Sequence, residues 1–241
     1  FHLSANMCPA HRTDELKKIH ARLDPKNPRP CRVISTQLIE AGVDIDFPVV
    51  YRAMAGLDSI MQAAGRCNRE GKLKLGHVRL FEPEKGSFPE ARRAAQETCE
   101  VARMHNDLSS LAAVESFFKL HYWQHKSEWD KHEIMRLFSQ SAEGLHAQFG
   151  EVANAYKLIR NEQTGVIVPY DDNAKSLIEK LRAIDTPDES EPEWKLRRKL
   201  QPYTVSVREN QLHQLCENAV LEQLHERYWI VRNDKAYDKN T

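Results

Sequence analysis

The sequence predicts an α/β domain, then a helical linker, then a small α+β domain. Three observations predict this order. Short apolar, β-rich runs alternate with helical stretches over residues 1–86, helical periodicity dominates 87–149, and β-rich segments return within 150–241. Strands separated by helices are typical of βαβ units with a buried parallel sheet. We therefore predict three domains with those boundaries.

The first domain contains four apolar runs that we predict to be strands. They are residues 1–5, 32–36, 49–51 and 77–81. A helix is predicted from Thr13 to about Leu23, and a shorter one through Ala41. The proline-rich stretch DPKNPRP, residues 24–30, predicts a surface connection before the second strand.

The later part of the chain has weaker signals. The segment YKLIRNEQTGVIVPY, residues 156–170, predicts two short strands around a turn at 163–165. The remaining predicted elements are a helix over 173–183, an exposed acidic loop over 185–193, and a helix over 211–225 between two strands.

Composition limits the kinds of partner and site. Lys plus Arg equals Asp plus Glu at 35 each, so any nucleic-acid contact must be a local patch. The five cysteines lack CxxC spacing, which argues against both a disulfide framework and a zinc site. No apolar run is as long as a membrane span, and no segment resembles a secretory leader. We expect a cytoplasmic protein that does not contact membranes.

The most informative stretch joins a strand-to-loop turn to a helix. The turn ends in Gly42 and Asp44, and the predicted helix carries Gln62, Arg66 and Arg69. With about 3.6 residues per turn, those three side chains would share one helix face. Two guanidiniums and an amide on one face suit an anion, and a polyphosphate fits best. Asp58 and Ser59 are expected to cap the helix start.

Two motifs in this stretch resemble a known family. STQLIEAGVDID and QAAGRCNR are similar to motifs V and VI of the superfamily 2 helicases. The longer runs ISTQLIEAGVDIDFPVVYR and AGLDSIMQAAGRCNREG resemble the CRISPR-associated helicase-nuclease of type I interference systems, and LSANMCPAHR near the start supports this. The motif resemblance covers about residues 1–85. Ala5 departs from the threonine or serine expected at that position.

The resemblance implies a partial RecA-like parallel-sheet lobe, the second of two such lobes that enclose ATP. Arg66 and Arg69 would be arginine fingers that approach the γ-phosphate, with Gln62 orienting them or the attacking water. Gly42 and Asp44 would also bind the nucleotide. ATP and Mg²⁺ would be held mainly by the first lobe, outside this chain.

The same resemblance suggests contacts with single-stranded DNA. Ser35 and Thr36 end a predicted strand, where their hydroxyls could contact a phosphate, although Thr36 could instead cap the next helix. His11 and Arg12 stand at a predicted helix start and are candidates for an electrostatic DNA contact. Expected partners are single-stranded DNA, the first lobe and nuclease domain of the same protein, and a CRISPR effector complex.

Several motifs of a complete enzyme are missing from this sequence. GRCNREGK, residues 65–72, is one residue too long for a phosphate loop. Neither a DEAD nor a DExH box is present, and no histidine is followed by aspartate. The chain also opens with Phe1 in an apparent strand. We therefore expect it to begin partway through a longer protein and to be inactive alone.

His121 and His125 in HYWQH stand four residues apart and would share a helix face. This spacing allows two metal ligands, but His132 is the one further candidate nearby. An aromatic helix face beside Tyr122 and Trp123 is the simpler interpretation, so we predict no metal ligands.

Taken together, the sequence predicts the C-terminal part of an ATP-dependent helicase that translocates on single-stranded DNA in type I CRISPR antiviral defence. Two alternatives stay open. The chain could come from another superfamily 2 DNA or RNA helicase, or it could act as a stand-alone binding module.

Overall fold

A computed structural model describes residues 1–40, 42–84, 89–130, 132–138, 148–156, 163–184, 191–233 and 236–238. The chain forms two compact units. One combines residues 1–43 with 161–241, and the other consists of residues 44–160. These units do not follow the boundaries expected from the sequence, and the three-domain division stays a prediction.

The first unit begins with a βαβ arrangement. Its elements are β1 (His2–Leu3), α1 (Pro9–Leu23) and β2 (Ile34–Ser35). The two strands pair in parallel, as the alternating pattern predicts. Helix α1 starts four residues before the predicted Thr13, because proline suits the first turn of a helix. A short 3₁₀ helix, Gln37–Ile39, replaces the predicted helix through Ala41, and residue 41 lies outside the described residues.

The second unit opens with another βαβ arrangement. Its elements are β3 (Val49–Ala53), α2 (Leu57–Ala64) and β4 (His77–Phe81). Strands β3 and β4 pair in parallel over their whole length. In the described residues the four predicted strands form two separate pairs, and the single RecA-like sheet is not observed. Periodicity predicts strands and their nearest partners, but it carries little information about pairing between distant strands.

The described residues in the rest of the second unit are mainly helical, in agreement with the sequence. The helices are α3 (Pro89–Met104), α4 (Leu111–Gln124), α5 (Ile134–Phe138) and α6 (Phe149–Ala155). Helices α2, α3 and α4 meet in one core, which contains Leu57, Val101, Ala113 and Phe117. These side chains are at most 2% exposed. The linker helices therefore support α2 directly.

The last part of the chain completes the first unit with a mixed sheet. Its elements are β5 (Gln163–Ile167), α7 (Asp172–Arg182), α8 (Glu191–Leu200), β6 (Thr204–Arg208), α9 (Glu209–Glu217), β7 (Leu221–Leu224) and β8 (Tyr228–Val231). The strand order is β6-β5-β8-β7, with β5 and β8 parallel and the other pairs antiparallel. Both faces are buried, since Val166 and its neighbour Ile167 belong to different core clusters. The predicted α+β unit is present.

Three local predictions in this region need correction. The predicted turn at 163–165 lies inside β5, because residues 163–167 pair continuously with β6. The predicted helix over 211–225 is split, since α9 ends at Glu217 and Ala219 adopts a left-handed φ of 54° before β7. Helix α8 begins at Glu191, inside the predicted acidic loop, whose residues 185–190 lie outside the described residues.

Within the described part of the chain, no helix combines the length and apolar character that a membrane crossing requires.

Candidate functional site

The start of helix α2 is stabilised differently from the expectation. Gly56 is the N-cap, and neither Asp58 nor Ser59 caps the helix with its side chain. Ser59 instead accepts a hydrogen bond of 2.7 Å from Nη2 of Arg52 on β3. Asp58 lies in the first turn, where its charge favours the positive end of the helix dipole.

Helix α2 ends before the two arginines. Its last residue is Ala64, and Gly65 follows as the C-cap. Arg66 and Cys67 continue in a tight turn through N–H bonds to the carbonyls three residues earlier. Asn68 then adopts a left-handed φ of 48°. The prediction that Gln62, Arg66 and Arg69 share one helix face is therefore wrong, because periodicity was extended through a glycine that ends the helix.

The arginine turn, residues 65–70, is held by the segment that precedes β3. The N–H of Phe47 donates to the carbonyl of Arg66, and the N–H of Asn68 donates to the carbonyl of Phe47, both at 2.9 Å. This parallel bridge joins Phe47 to Cys67. The turn thus lies at the amino-terminal end of β3.

Two aspartates of the GVDID sequence contact Arg69. Asp46 accepts the Arg69 N–H through Oδ1 at 2.7 Å and the Glu70 N–H through Oδ2 at 3.3 Å. Oδ1 of Asp44 lies 3.3 Å from Nε of Arg69. Asp44 and Arg69 thus form an ion pair, while a nucleotide-binding role for either residue stays a prediction. Asp46 was missed by the sequence reasoning, although it stands in the motif that we singled out.

The arginines are accessible to a ligand. The Arg69 side chain is 42% exposed and that of Asp44 is 87% exposed. Gln62 is also exposed, and Arg66 is half-buried. An ion pair this open to solvent is worth only about 0–1 kcal/mol, so an anion of higher charge can displace Asp44 at small cost.

Cys67 lies inside the arginine turn but does not provide a nucleophile. Burial raises the pKa of its thiol, with a smaller opposing effect from nearby backbone groups. Its Sγ lies 3.5 Å from the carbonyl of Pro48. The thiol therefore stays protonated at neutral pH, since the thiolate is the reactive form of cysteine.

The remaining candidate residues before Asp44 belong to the first unit. Gly42 has a φ of 74°, which suits the tight turn predicted there. Ser35 is half-buried, and its hydroxyl donates to the carbonyl of Thr36 at 2.8 Å. Thr36 is exposed at the N-cap of the 3₁₀ helix but makes no side-chain cap bond, so the capping alternative is not observed.

The burial of His11 argues against the direct DNA contact that we expected for it. It is 1% exposed, its ring stacks on Tyr170 with centroids 4.9 Å apart, and its Nδ1 lies 3.0 Å from Oη of Tyr237. The C-terminal segment covers this helix face, which the sequence near His11 could not reveal. Arg12, half-buried in the first turn of α1, remains the accessible basic residue of the pair.

The motif region is similar to a known protein family. Residues 1–72 match the family described as CRISPR-associated nuclease/helicase Cas3, C-terminal. A Cas3 nuclease/helicase of Haloferax volcanii is 65% identical over 40 residues, which cover 17% of this chain and 4% of that relative.

Solved Cas3 structures extend the likeness to most of the chain. T. fusca Cas3-AMPPNP matches with a TM-score of 0.56 and 16% identity, covering 96% of this chain and 32% of that one. T. fusca Cas3-ATP gives a TM-score of 0.55 at 16% identity with the same coverage. A CRISPR RNA-guided surveillance complex in a pre-nicking state gives 0.50 at 15% identity, covering 96% of this chain and 34% of that one.

These comparisons support a likeness to the C-terminal helicase region of Cas3, and the solved structures show a similar mixed α/β fold. At this level of identity the structural matches establish the fold alone. The chain spans about a third of the Cas3 structures that it matches.

Proposed function

We propose that this chain is the C-terminal part of an ATP-dependent helicase that translocates on single-stranded DNA in type I CRISPR antiviral defence. The observation that supports it best is the position of Arg69. Its backbone is bonded to Asp46 and its guanidinium lies beside Asp44, next to half-buried Arg66. A fixed backbone with a side chain in a weak, exposed ion pair is what an arginine finger requires.

In this proposal ATP is the substrate, and the phosphate loop and the Mg²⁺ carboxylates belong to a first lobe outside this chain. The γ-phosphate carries more charge than Asp44, so Arg69 exchanges the carboxylate for phosphate oxygens when the lobes close. Arg66 supplies the second guanidinium, and exposed Gln62 orients the arginines or the attacking water. Gly42 lets the chain turn sharply before Asp44. This chain alone would hydrolyse no ATP.

For DNA, we assign phosphate contacts to the hydroxyls of Ser35 and Thr36 and to the guanidinium of Arg12. His11 would act on Arg12 indirectly, by anchoring the start of α1 through Tyr170 and Tyr237. The longer protein would work in the cytoplasm on an effector complex, and the likeness to a chain from a surveillance-complex structure supports that partner.

The test uses the full-length protein, which supplies the first lobe. Arg66→Ala and Arg69→Ala should each reduce ATP hydrolysis stimulated by single-stranded DNA by roughly a thousandfold. Arg79→Ala, at an exposed arginine of β4, is the control and should leave the rate unchanged. Wild-type turnover in both finger variants, with circular dichroism unaltered, would refute the assignment. Stronger stimulation by RNA than by DNA would favour an RNA helicase instead.

A further inference from the structure

Helices α3 and α4 bring three ligand-type side chains together inside the second unit. Glu97 comes from α3, while His121 and His125 stand one turn apart at the end of α4. Oε2 of Glu97 lies 2.7 Å from Nδ1 of His121, and Oε1 lies 3.3 Å from Nε2 of His125. His132, the third ligand considered from the sequence, does not belong to this group.

The carboxylate of Glu97 is in a position that needs a positive charge. Its side chain is only 2% exposed, and a buried carboxylate is costly unless it is paired or coordinates a metal. Oε1 has no hydrogen-bond partner in the described structure, although Nε2 of His125 is close to it. The two atoms approach without the alignment of a hydrogen bond. That arrangement suits lone pairs that converge on a common cation.

The donor set indicates which cation would bind. One ligand atom from each of the three side chains lies within 4.8 Å of the others, so the three form a group that could hold a metal ion. Two imidazoles and a carboxylate are a set that Zn²⁺ accepts readily and that Mg²⁺ and Ca²⁺, which prefer oxygen ligands, do not. His121 is 36% exposed, so an ion can enter from that side and keep a water as its fourth ligand.

Neighbouring groups are placed to orient His125. Oε1 of Glu128 lies 3.5 Å from its Nδ1, the nitrogen that faces away from Glu97. Nη1 of Arg93 lies 3.4 Å from the same Glu128 oxygen. A carboxylate behind a metal-bound histidine sets its tautomer and raises its basicity. His121 is in turn stacked on the buried ring of Phe117.

We propose that Glu97, His121 and His125 bind one Zn²⁺ ion, or a similar divalent transition metal, that joins α3 to α4. Thr98, the residue after Glu97, donates its hydroxyl to the carbonyl of Ala55, just before α2. The metal therefore strengthens the support of the helix that leads to the arginine turn. This inference does not depend on the proposed helicase function.

The test begins with the 241-residue chain stripped of metal by a chelator. Titration with ZnCl₂ should show one bound equivalent and a melting temperature that rises with Zn²⁺ concentration, while MgCl₂ should shift neither. CoCl₂ should give visible d–d bands without the thiolate charge-transfer absorption that cysteine ligands produce. Glu97→Gln and His125→Ala should abolish stoichiometric binding, and Glu128→Gln should weaken it about 10- to 100-fold.

His132→Ala is the matched control, because it removes an exposed histidine from the same region and should bind like the wild type. Binding that survives in both Glu97→Gln and His125→Ala would overturn the proposal. An unchanged wild-type melting temperature with no bound Zn²⁺ would also overturn it. If a variant fails to fold, the wild-type Zn²⁺ stoichiometry and Co²⁺ spectrum still decide.

Discussion

The carboxylate of Asp46 accepts the backbone N–H of Arg69 at 2.7 Å and therefore fixes the position of the Arg69 backbone. A second bond to Glu70 N–H fixes the direction of the next peptide. The guanidinium of Arg69 is then aimed from a turn, not from a helix. In this way Asp46 controls the position of the Arg69 backbone.

Replacing Asp46 with Ala should destabilise the arginine turn more than replacing Asp44 with Ala. Asp46→Ala removes the acceptor of two backbone N–H groups, so we expect a loss of about 1–2 kcal/mol in the free energy of unfolding. Asp44→Ala removes only an exposed ion pair and should change stability by less than about 1 kcal/mol. Urea unfolding of both variants checks this. Equal stabilities would show that the backbone bonds do not hold the turn.

A methyl group at Gly76 should displace the arginine turn, because it would press against Asn68 and Cys67. A Cβ at this position would lie 2.8 Å from both Cβ of Asn68 and Sγ of Cys67. We expect Gly76→Ala to cost about 1–3 kcal/mol, as overpacking does. Gly150→Ala is the comparison, since a Cβ there meets no atom within 4 Å and alanine favours helix α6. In thermal melting, only Gly76→Ala should show a lower melting temperature than the wild type.

Tyr237 should matter for the start of helix α1 although it lies near the other end of the chain. Its Oη accepts the N–H of Cys8 at 2.9 Å, and Cys8 is fully buried. Tyr237→Phe leaves that N–H without its acceptor, which should cost about 1–3 kcal/mol. Exposed Tyr51, changed to Phe, should have little effect. Hydrogen exchange at Cys8 in the Tyr237 variant should speed up; unchanged protection there would contradict the prediction.

Tyr228 should make stability depend on alkaline pH. Burial, and then its bond to Glu193, raises its pKa to about 12 from the ordinary value of 10.0. Because the raised pKa belongs to the folded state, the contribution is complete below pH 10 and is lost as the pH rises towards 12. Tyr228→Phe removes the donor to buried Glu193, so we expect a loss of about 1–3 kcal/mol at neutral pH.

The same variant should also flatten the fall in stability between pH 10 and 12. Denaturant unfolding across that interval gives the measurement. Glu193 is 5% exposed and its Oε2 has no hydrogen-bond partner in the described structure, so the variant leaves this buried carboxylate without the hydroxyl of Tyr228. An identical pH slope in wild type and variant would assign the alkaline loss to other groups.

Much of the architecture could be predicted from local patterns. Apolar runs separated by helices predicted both parallel pairs, and the motifs around Asp44 and Arg69 pointed to the family that residues 1–72 match. Helical periodicity predicted α3 and α4 as well. These successes share one cause, because each depends on residues close together in the chain.

Two of the omissions have the opposite cause, because they depend on residues that lie far apart in the chain. His11 is covered by Tyr170 and Tyr237, which lie 159 and 226 residues further along the chain. Glu97 showed no signal of its own until packing placed it between His121 and His125.

The sequence by itself determined most of the strands and helices and the motif residues, since propensity and periodicity are local. Only the tertiary structure decided the aim of Arg69, the burial of His11 and the partners of Glu97. Hydrogen bonds and packing between distant segments set these, and their geometry is not encoded in the spacing of any one segment.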